Sequence, residues 1–193
     1  NCLGVISDVR FPFHGERDSE AGFKLLEDIR KEDEYVPLIM ESSETANKYR
    51  ADREHFHFVD KNSKMLSVEL RHLIEEHMGF GDFVFRDPHT HKEIARVSTL
   101  KQLQDNIFKV PSDSMLYHIS RNHISRWLCA RAIFPVSKFL KQVTWHRLQD
   151  VDAHRQIIFD AIVQYRNMKN IGVVAVFDRG KFDRYAHFAR IGD

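Results

Sequence analysis

The sequence predicts an α/β fold, in which a partial parallel β-sheet is followed by a mainly α-helical domain with a small β-hairpin. Three short apolar runs, "LGVISD", "YVPLIMESS" and "HFHFVDKNS", have the length and residue content of buried strands. Segments with apolar residues at helical spacing lie between and after these runs. Strands and helices that alternate in this way form parallel sheets with right-handed crossovers.

The first 78 residues support this order element by element. After the first strand and a polar loop, "SEAGFKLLEDIRKEDE" carries Phe23, Leu26 and Ile29 at helical spacing. The second strand has its proline near the start, where a sheet tolerates it, and the polar segment "ETANKYRADRE" predicts a weak helix before the third strand. An amphipathic helix then ends before Gly79. Its apolar face consists of Leu66, Leu70, Leu73 and Ile74.

From Gly79 onward the pattern changes, which places a domain boundary near residues 78–82 and predicts domains at 1–78 and 79–193. Residues 79–97 alternate around a proline-containing turn and predict a hairpin. A helix follows, with Thr99 and Gln102 spaced as a capping box. Residues 111–140 predict one or two helices, interrupted or kinked near Pro135. Another amphipathic helix begins at residue 150, and the segment from 171 onward starts with a short β-like run.

Composition excludes several classes of function. A formal charge of +1 argues against nucleic-acid binding, and no apolar stretch is long enough to span a membrane. Cys2 and Cys129 lie far apart, so we expect neither a disulfide framework nor a zinc site, and we predict a cytoplasmic protein. The twelve histidines are scattered without metal-ligand spacing, which favours surface or half-buried side chains over metal ligands.

Three residues that follow predicted strands form the candidate site. Asp8, Ser42 and Lys61 fall at carboxyl ends of strands, where parallel sheets collect their functional groups. An aspartate there can form an acyl phosphate, a hydroxyl can bond a phosphate oxygen, and a lysine can neutralise its charge. Each residue also has an ordinary structural role: Asp8 as a turn former, Ser42 as a helix N-cap and Lys61 as a solvated lysine. A stand-alone aspartate-nucleophile phosphatase is less favoured, because Arg10 occupies the position of its second carboxylate.

The strands "GVISD", "PLIMESS" and "FVDKNS" resemble the second half of a response-regulator receiver domain, which has a flavodoxin-like parallel sheet. The resemblance implies that Asp8 is the phosphoacceptor, that Ser42 and Lys61 contact the phosphoryl group, and that Mg²⁺ binds with Asp8 as one ligand. Pro12 and Gly22 match the family, whereas Phe11 and Asn62 depart from it. The first strand with its acidic pair, which completes the family's metal site, does not precede Asp8. We therefore expect a fragment, whose open sheet edge favours a homodimer.

The later segments "YHISRNHISRWL" and "FARIGD" are similar to a connecting region of bacterial phosphoenolpyruvate synthase or pyruvate, phosphate dikinase-like proteins. There the region joins a receiver-like domain to an ATP-binding domain, which here would follow residue 193. The resemblance implies a non-catalytic regulatory fragment of an ATP-dependent phosphotransferase, whose partner is the downstream catalytic domain and which holds no cofactor itself. The alternative is a degenerate receiver that acts as a protein–protein interaction scaffold without phosphorylation.

Three arginines near these motifs are candidates for a partner surface. Arg121, Arg126 and Arg131 lie in one short region, and guanidinium groups suit phosphate or carboxylate partners. The favoured interpretation is structural, with Ile119, Ile124 and the residues around them in the core and the basic side chains solvated.

Overall fold

The computed structural model describes residues 2–13, 16–147 and 150–171 and confirms the predicted α/β class. The first part of the chain, called the sheet unit below, extends to residue 78. Its elements in chain order are β1 (Val5–Asp8), β2 (Phe11–Phe13), β3 (Glu16–Asp18), α1 (Ala21–Glu32), β4 (Leu38–Ser42), α2 (Asn47–Arg53), β5 (His57–Asp60) and α3 (Leu66–His77).

The three predicted strands form one parallel sheet in the order β1-β4-β5. Leu38 and Met40 of β4 pack on one side of the sheet in a core with Phe23 and Leu26 of α1. Ile39 of β4 and Val59 of β5 pack on the other side against the apolar face of α3. Side chains alternate between the two sides along a strand, so these buried residues also determine on which side of the sheet the side chains at the strand ends lie.

The segment between β1 and α1 differs from the polar loop that the sequence predicts. Phe11–Phe13 pairs antiparallel with Glu16–Asp18, so that β2 and β3 form a small hairpin outside the main sheet. Both strands are only three residues long, all of them apolar in β2 and all of them charged in β3, so the segment lacks the alternating pattern by which a strand is predicted. Asp18 accepts a hydrogen bond from the backbone N–H of Glu20 and forms an ion pair with Lys24. Both partners lie at the start of α1.

The second part of the chain, called the helical unit below, begins with the predicted hairpin. Its elements are β6 (Phe83–Arg86), β7 (Glu93–Val97), α4 (Leu100–Asn106), α5 (Ser112–Ser120), α6 (His123–Ala130), α7 (Phe134–Gln142) and α8 (Val151–Ile171). The capping box of Thr99 and Gln102 forms at the start of α4 and is confirmed.

Residues 112–142 contain three helices rather than the one or two predicted. Asn122 adopts a left-handed conformation with φ of 57°, and Ala132 does the same with φ of 57°, so each ends one helix and allows a sharp change of direction. Pro135 lies in the first turn of α7, where its missing N–H costs nothing, and therefore starts a helix instead of kinking one. The predicted strand-like run after residue 171 lies outside the described residues.

The larger core belongs to the helical unit. It buries Trp127, Phe85, Leu103, Met115 and Leu128 almost completely. The long helix α8 closes this core with Ile158 and Ile162, both fully buried. None of the helices in the described ranges is both long and apolar enough to cross a membrane.

The predicted boundary near residue 78 falls between α3 and β6, and polar contacts tie the short connection to the helical unit. The guanidinium of Arg131 donates to the carbonyl oxygens of Gly79 and Gly81 at 2.8 Å each and stacks on the Trp127 ring. The indole N–H of Trp127 donates to the same Gly81 oxygen at 3.1 Å. Gly79 has a φ of 85°, and an added Cβ there would press on the backbone of Trp127, so the turn requires glycine.

A test of the sheet unit is Gly22→Ala. Gly22 lies in the first turn of α1, its N–H donates to Val9 at 2.9 Å, and an added Cβ would overlap the carbonyl oxygen of Asp8. Since backbone cannot move away as a side chain can, we expect a loss of about 2 kcal/mol or more in unfolding free energy. Urea denaturation measures this change.

The matched control is Gly4→Ala, where the added Cβ would meet only the flexible end of the Met78 side chain. This variant should lose much less stability than Gly22→Ala. Equal losses in the two variants would show that the close approach of α1 to β1 is not what constrains residue 22.

Candidate functional site

The carboxyl ends of the three parallel strands bring Asp8 and Lys61 into contact. Lys61 Nζ lies 2.5 Å from Asp8 Oδ2 and 3.7 Å from Glu41 Oε1. Asp8 is paired in register with Glu41, and Lys61 follows β5 two residues after Val59. The alternation of side chains therefore places all three groups on the α3 side of the sheet, at the same edge.

The pKa values of the pair follow from this contact. Partial burial favours the neutral form of Asp8, but hydrogen bonds from Lys61 and from the backbone N–H of Arg10 outweigh it and lower the pKa of Asp8. The hydrogen bond to Asp8 raises the pKa of Lys61 against a smaller effect of burial. Both side chains are therefore charged at neutral pH, and they form an ion pair with Glu41 as a second, more distant carboxylate.

Ser42 lies at the same edge but belongs to the other side of the sheet. It is 4 % exposed, and its Oγ accepts hydrogen bonds from the backbone N–H of Glu44 at 3.0 Å and from Asn47 Nδ2 at 2.9 Å. The hydroxyl thus fixes the turn that leads into α2. The N-cap role that the sequence offers as the alternative is wrong, because α2 begins at Asn47 with Ala46 as its N-cap and has no side-chain cap. These two hydrogen bonds use both of its lone pairs, so only its proton remains for a phosphoryl oxygen.

The residues around Asp8 do not by themselves complete a magnesium site. Mg²⁺ prefers six oxygen ligands in octahedral geometry, although waters supply several of them. Asp8 and Glu41 are the two carboxylates that contact Lys61, and its single ammonium already pairs with Asp8 and offsets one of their two negative charges. Within the described part of the chain, no group of three or more His, Cys, Asp or Glu side chains is placed to hold a metal ion.

The three candidate arginines occupy different environments. Arg121 stacks on the rings of Tyr117 and Tyr35, with its guanidinium carbon 4.4 and 5.6 Å from their centroids. Arg131 holds the connection between the units, as described above. Arg126 is only 7 % exposed, and its Nη2 donates to the carbonyl oxygen of Tyr35 in the sheet unit at 2.6 Å. Ile119 and Ile124 are buried as expected, but Arg126 is not solvated, because its side chain joins the two units.

A cleft of about 820 Å³ lies at the junction of the two units. The sheet unit contributes the starts of β4 and β5, which are the strand ends opposite Asp8, and the helical unit contributes β6, α5 and α6. Seven of the twelve histidines line this cleft, although the sequence spreads them over almost 70 positions: His55, His57, His72, His77, His91, His118 and His123. Their spacing in sequence does not predict that they come together, because they lie in four different helices and strands and in two loops.

Two of these histidines, His118 and His123, form a hydrogen-bonded chain, called the relay below. A backbone N–H group determines which ring nitrogens carry protons. The backbone N–H of Arg86 donates to Nε2 of His118 at 2.9 Å, so this nitrogen carries no proton. The proton of neutral His118 is then on Nδ1, which lies 3.0 Å from Nδ1 of His123. His123 accepts it and must carry its own proton on Nε2. A spacing of five residues would put His118 and His123 on different faces of a single helix. A turn at Asn122 instead separates α5 from α6 and brings the two rings together.

Burial keeps these imidazoles neutral. It lowers the pKa of His118 to about 4 and the pKa of His123 to about 3, with a further contribution from nearby arginines. On the other wall, the rings of His57 and His77 stack with centroids 4.0 Å apart. Burial lowers the pKa of both, that of His77 to about 4, and the carboxylate of Glu76 only partly opposes it.

Comparisons of this chain with protein-family models, with curated proteins and with solved structures gave no match. Function must therefore be inferred from the geometry of the residues themselves.

The buried relay makes stability depend on pH. His118 is 3 % exposed, and its pKa is lowered from 6.5 to about 4, so the unfolded chain takes up a proton that the folded protein does not. Stability is therefore complete above pH 6.5 and decreases toward pH 4, with His118 alone accounting for about 3 kcal/mol over that range. In His118→Gln, whose amide oxygen can still accept from Arg86, the decrease between pH 7 and 4.5 should be smaller. Urea denaturation at several pH values measures the slope.

The exposed His89 provides the matched control, since His89→Gln removes an imidazole that does not line the cleft. Its pH dependence should equal that of the unaltered protein. A slope in His118→Gln as steep as in the unaltered protein would contradict a neutral, buried His118.

Proposed function

We propose that this chain is a receiver-like regulatory module of a phosphoenolpyruvate synthase-like phosphotransferase, and that Asp8 is its phosphoacceptor. The observation that carries the proposal is the contact between Lys61 and Asp8 at the carboxyl edge of the parallel sheet, with Nζ and Oδ2 2.5 Å apart. The two residues are 53 positions apart in sequence, and the contact is the one that phosphoryl chemistry at this edge requires.

Phosphoryl transfer to Asp8 from a small phosphodonor uses two side chains of this protein, Asp8 and Lys61. An Asp8 carboxylate oxygen attacks the phosphorus of a small phosphodonor such as acetyl phosphate, the new P–O bond forms, and acetate leaves with the electrons of the broken bond. The lowered pKa of Asp8 keeps the nucleophile ionised at neutral pH. Lys61, already within hydrogen-bond distance, neutralises part of the charge that the phosphoryl group adds.

The strand arrangement supports the same proposal. A parallel β1-β4-β5 sheet in which the aspartate, serine and lysine follow successive strands has the order that the receiver resemblance implies. β1 pairs with β4 along one side, and among the described strands none pairs with its other side. This free side is where the proposal places either further strands of a receiver sheet or the second protomer of a homodimer.

The remaining parts of the proposal rest on the resemblance of "YHISRNHISRWL" and "FARIGD". They comprise a downstream ATP-binding catalytic domain as the partner of this module, Mg²⁺ in the intact receiver and a cytoplasmic location. In this arrangement the module itself performs no catalysis. It changes the state of its partner when Asp8 is modified.

The scaffold function is the second candidate, and a specific observation favours it. Asp8 is held in a closed ion pair with Lys61, while Ser42 uses both oxygen lone pairs to fix the turn before α2. In a protein that is never phosphorylated, the same contacts serve only to hold the ends of the strands together.

Incubation with acetyl phosphate and magnesium distinguishes the two. We expect an intact-mass increase of one phosphoryl group that hydroxylamine removes, since acyl phosphates react with it, and no increase in Asp8→Asn. The control is Asp60→Asn, which removes another carboxylate at the carboxyl end of the same sheet, in β5, and should leave the modification unchanged. Lys61→Met should reduce the yield, because it removes the cation that faces the phosphoryl group.

An unmodified protein under these conditions would reject the phosphoacceptor role and leave the scaffold function. Modification that persists in Asp8→Asn would also reject it, because another side chain would then be the acceptor.

A further inference from the structure

Arg126 is a buried guanidinium that lines the cleft and is only partly satisfied. Arg126 is only 7 % exposed. Among the described residues it makes one hydrogen bond, to the Tyr35 carbonyl oxygen at 2.6 Å, and no ion pair. Burial lowers its pKa, and Asp33 opposes this only from beyond ion-pair distance. A guanidinium has five N–H groups, so several remain for a ligand that enters the cleft.

Arg30 adds a second guanidinium to the same part of the cleft. It hydrogen bonds to the carbonyl oxygens of Glu34 and Val36, and burial lowers its pKa. The charge of Arg30 contributes to the lowered pKa of Arg126, whereas Asp33 and Glu34 partly oppose the effect of burial on the pKa of Arg30. Two like charges held in a partly buried cleft are costly unless an anion joins them.

The histidines next to these arginines offer hydrogen-bond donors without adding charge. The relay from the Arg86 backbone through His118 fixes a proton on Nε2 of His123. His123 lines the cleft and interacts electrostatically with Arg126 and His77. His57, stacked on His77, interacts in the same way with Arg30. The cleft thus offers guanidinium groups and neutral imidazole N–H donors, both of which hydrogen bond to an oxyanion.

From this arrangement we infer that the cleft between the two units binds a small phosphate-bearing molecule, with its phosphate against Arg126 and Arg30 and with His123 Nε2–H as a further donor. Guanidinium forks match the geometry of phosphate oxygens and bind them through pairs of parallel hydrogen bonds. The volume of about 820 Å³ is typical of sites for small organic ligands and leaves room beyond the phosphate itself. Four carboxylates also line the cleft and equal its four arginines in number, so they favour an uncharged or hydroxyl-bearing remainder over a second anionic group: Glu34, Glu75, Glu76 and Asp82.

Isothermal titration calorimetry with three probes tests this site: inorganic phosphate, glycerol phosphate and adenosine monophosphate. We expect binding of at least one of them, and Arg126→Gln should weaken it at least tenfold because charge-assisted hydrogen bonds are lost. Arg126→Lys, which keeps the charge but not the fork, should weaken it less. Tighter binding of either organic phosphate than of inorganic phosphate identifies an organic ligand, and equal binding identifies free phosphate as the ligand.

The matched control is Arg121→Gln, which removes the same charge from a neighbouring arginine that does not line the cleft. Its affinity should be unchanged. Because Arg126 also joins the two units, Arg30→Gln serves as the second variant, and it should weaken binding even if Arg126→Gln fails to fold. Binding of none of the probes at millimolar concentration, or equal binding by the unaltered protein and Arg30→Gln, would overturn the inference.

This inference does not depend on phosphorylation of Asp8. The cleft lies at the amino ends of β4 and β5, whereas Asp8 and Lys61 lie at the carboxyl ends. Asp8→Asn should therefore bind the probes as the unaltered protein does. A module that is modified at Asp8 but binds no phosphate, or the reverse, would reject one proposal and keep the other.

Discussion

The hydrogen-bond register of the three parallel strands is the constraint on which both candidate sites depend. Asp8 pairs with Glu41, and Ser42 pairs with Asp60, so the strands end in one row and place Lys61 beside the first carboxylate. A shift of one residue in β1 would turn Asp8 to the other side of the sheet and bury Ile6 or Val9 on the wrong side. The buried contacts of Leu38 and Met40 with α1, and of Ile39 with α3, oppose such a shift.

The second constraint acts where the units meet, and it is polar rather than apolar. Arg126 reaches from α6 to the Tyr35 carbonyl oxygen, while Arg131 and Trp127 hold the connection at Gly79 and Gly81. A junction closed by apolar side chains would exclude water and ligands alike. Guanidinium contacts to backbone carbonyls leave N–H groups unused, and they surround a space that an anion can enter.

Local sequence signals predicted the elements whose causes are local. Apolar runs identified β1, β4 and β5, and the spacing of Thr99 and Gln102 identified the start of α4. The hairpin of β2 and β3 has no alternating pattern of apolar and polar residues, and the turns at Asn122 and Ala132 depend on a left-handed backbone that other residues also adopt. These features escaped prediction because the tertiary structure, and not the local residue pattern, selects them.

The sequence predicted one of the two candidate sites and not the other, for the same reason. Asp8, Ser42 and Lys61 follow strands of one parallel sheet, so topology alone predicts that they share an edge. The histidines of the cleft come from both units, and no periodicity links His57 and His77 to His118 and His123. Only packing of the units brings them together, and therefore the sequence favoured scattered histidines where the structure has a lined cleft.

Added negative charge has opposite effects at the two ends of the sheet. At the carboxyl edge, one lysine faces two carboxylates, Asp8 and Glu41, so an added phosphoryl group would bring more negative charge than Lys61 can neutralise. Glu41 would then be repelled, and it belongs to β4, whose first residue, Leu38, lines the cleft. At the amino edge, Arg30 and Arg126 hold positive charge without an ion pair from Arg126, so an anion there relieves repulsion. β4 thus connects the two candidate sites, with Glu41 near its end in contact with Lys61 and Leu38 at its start lining the cleft.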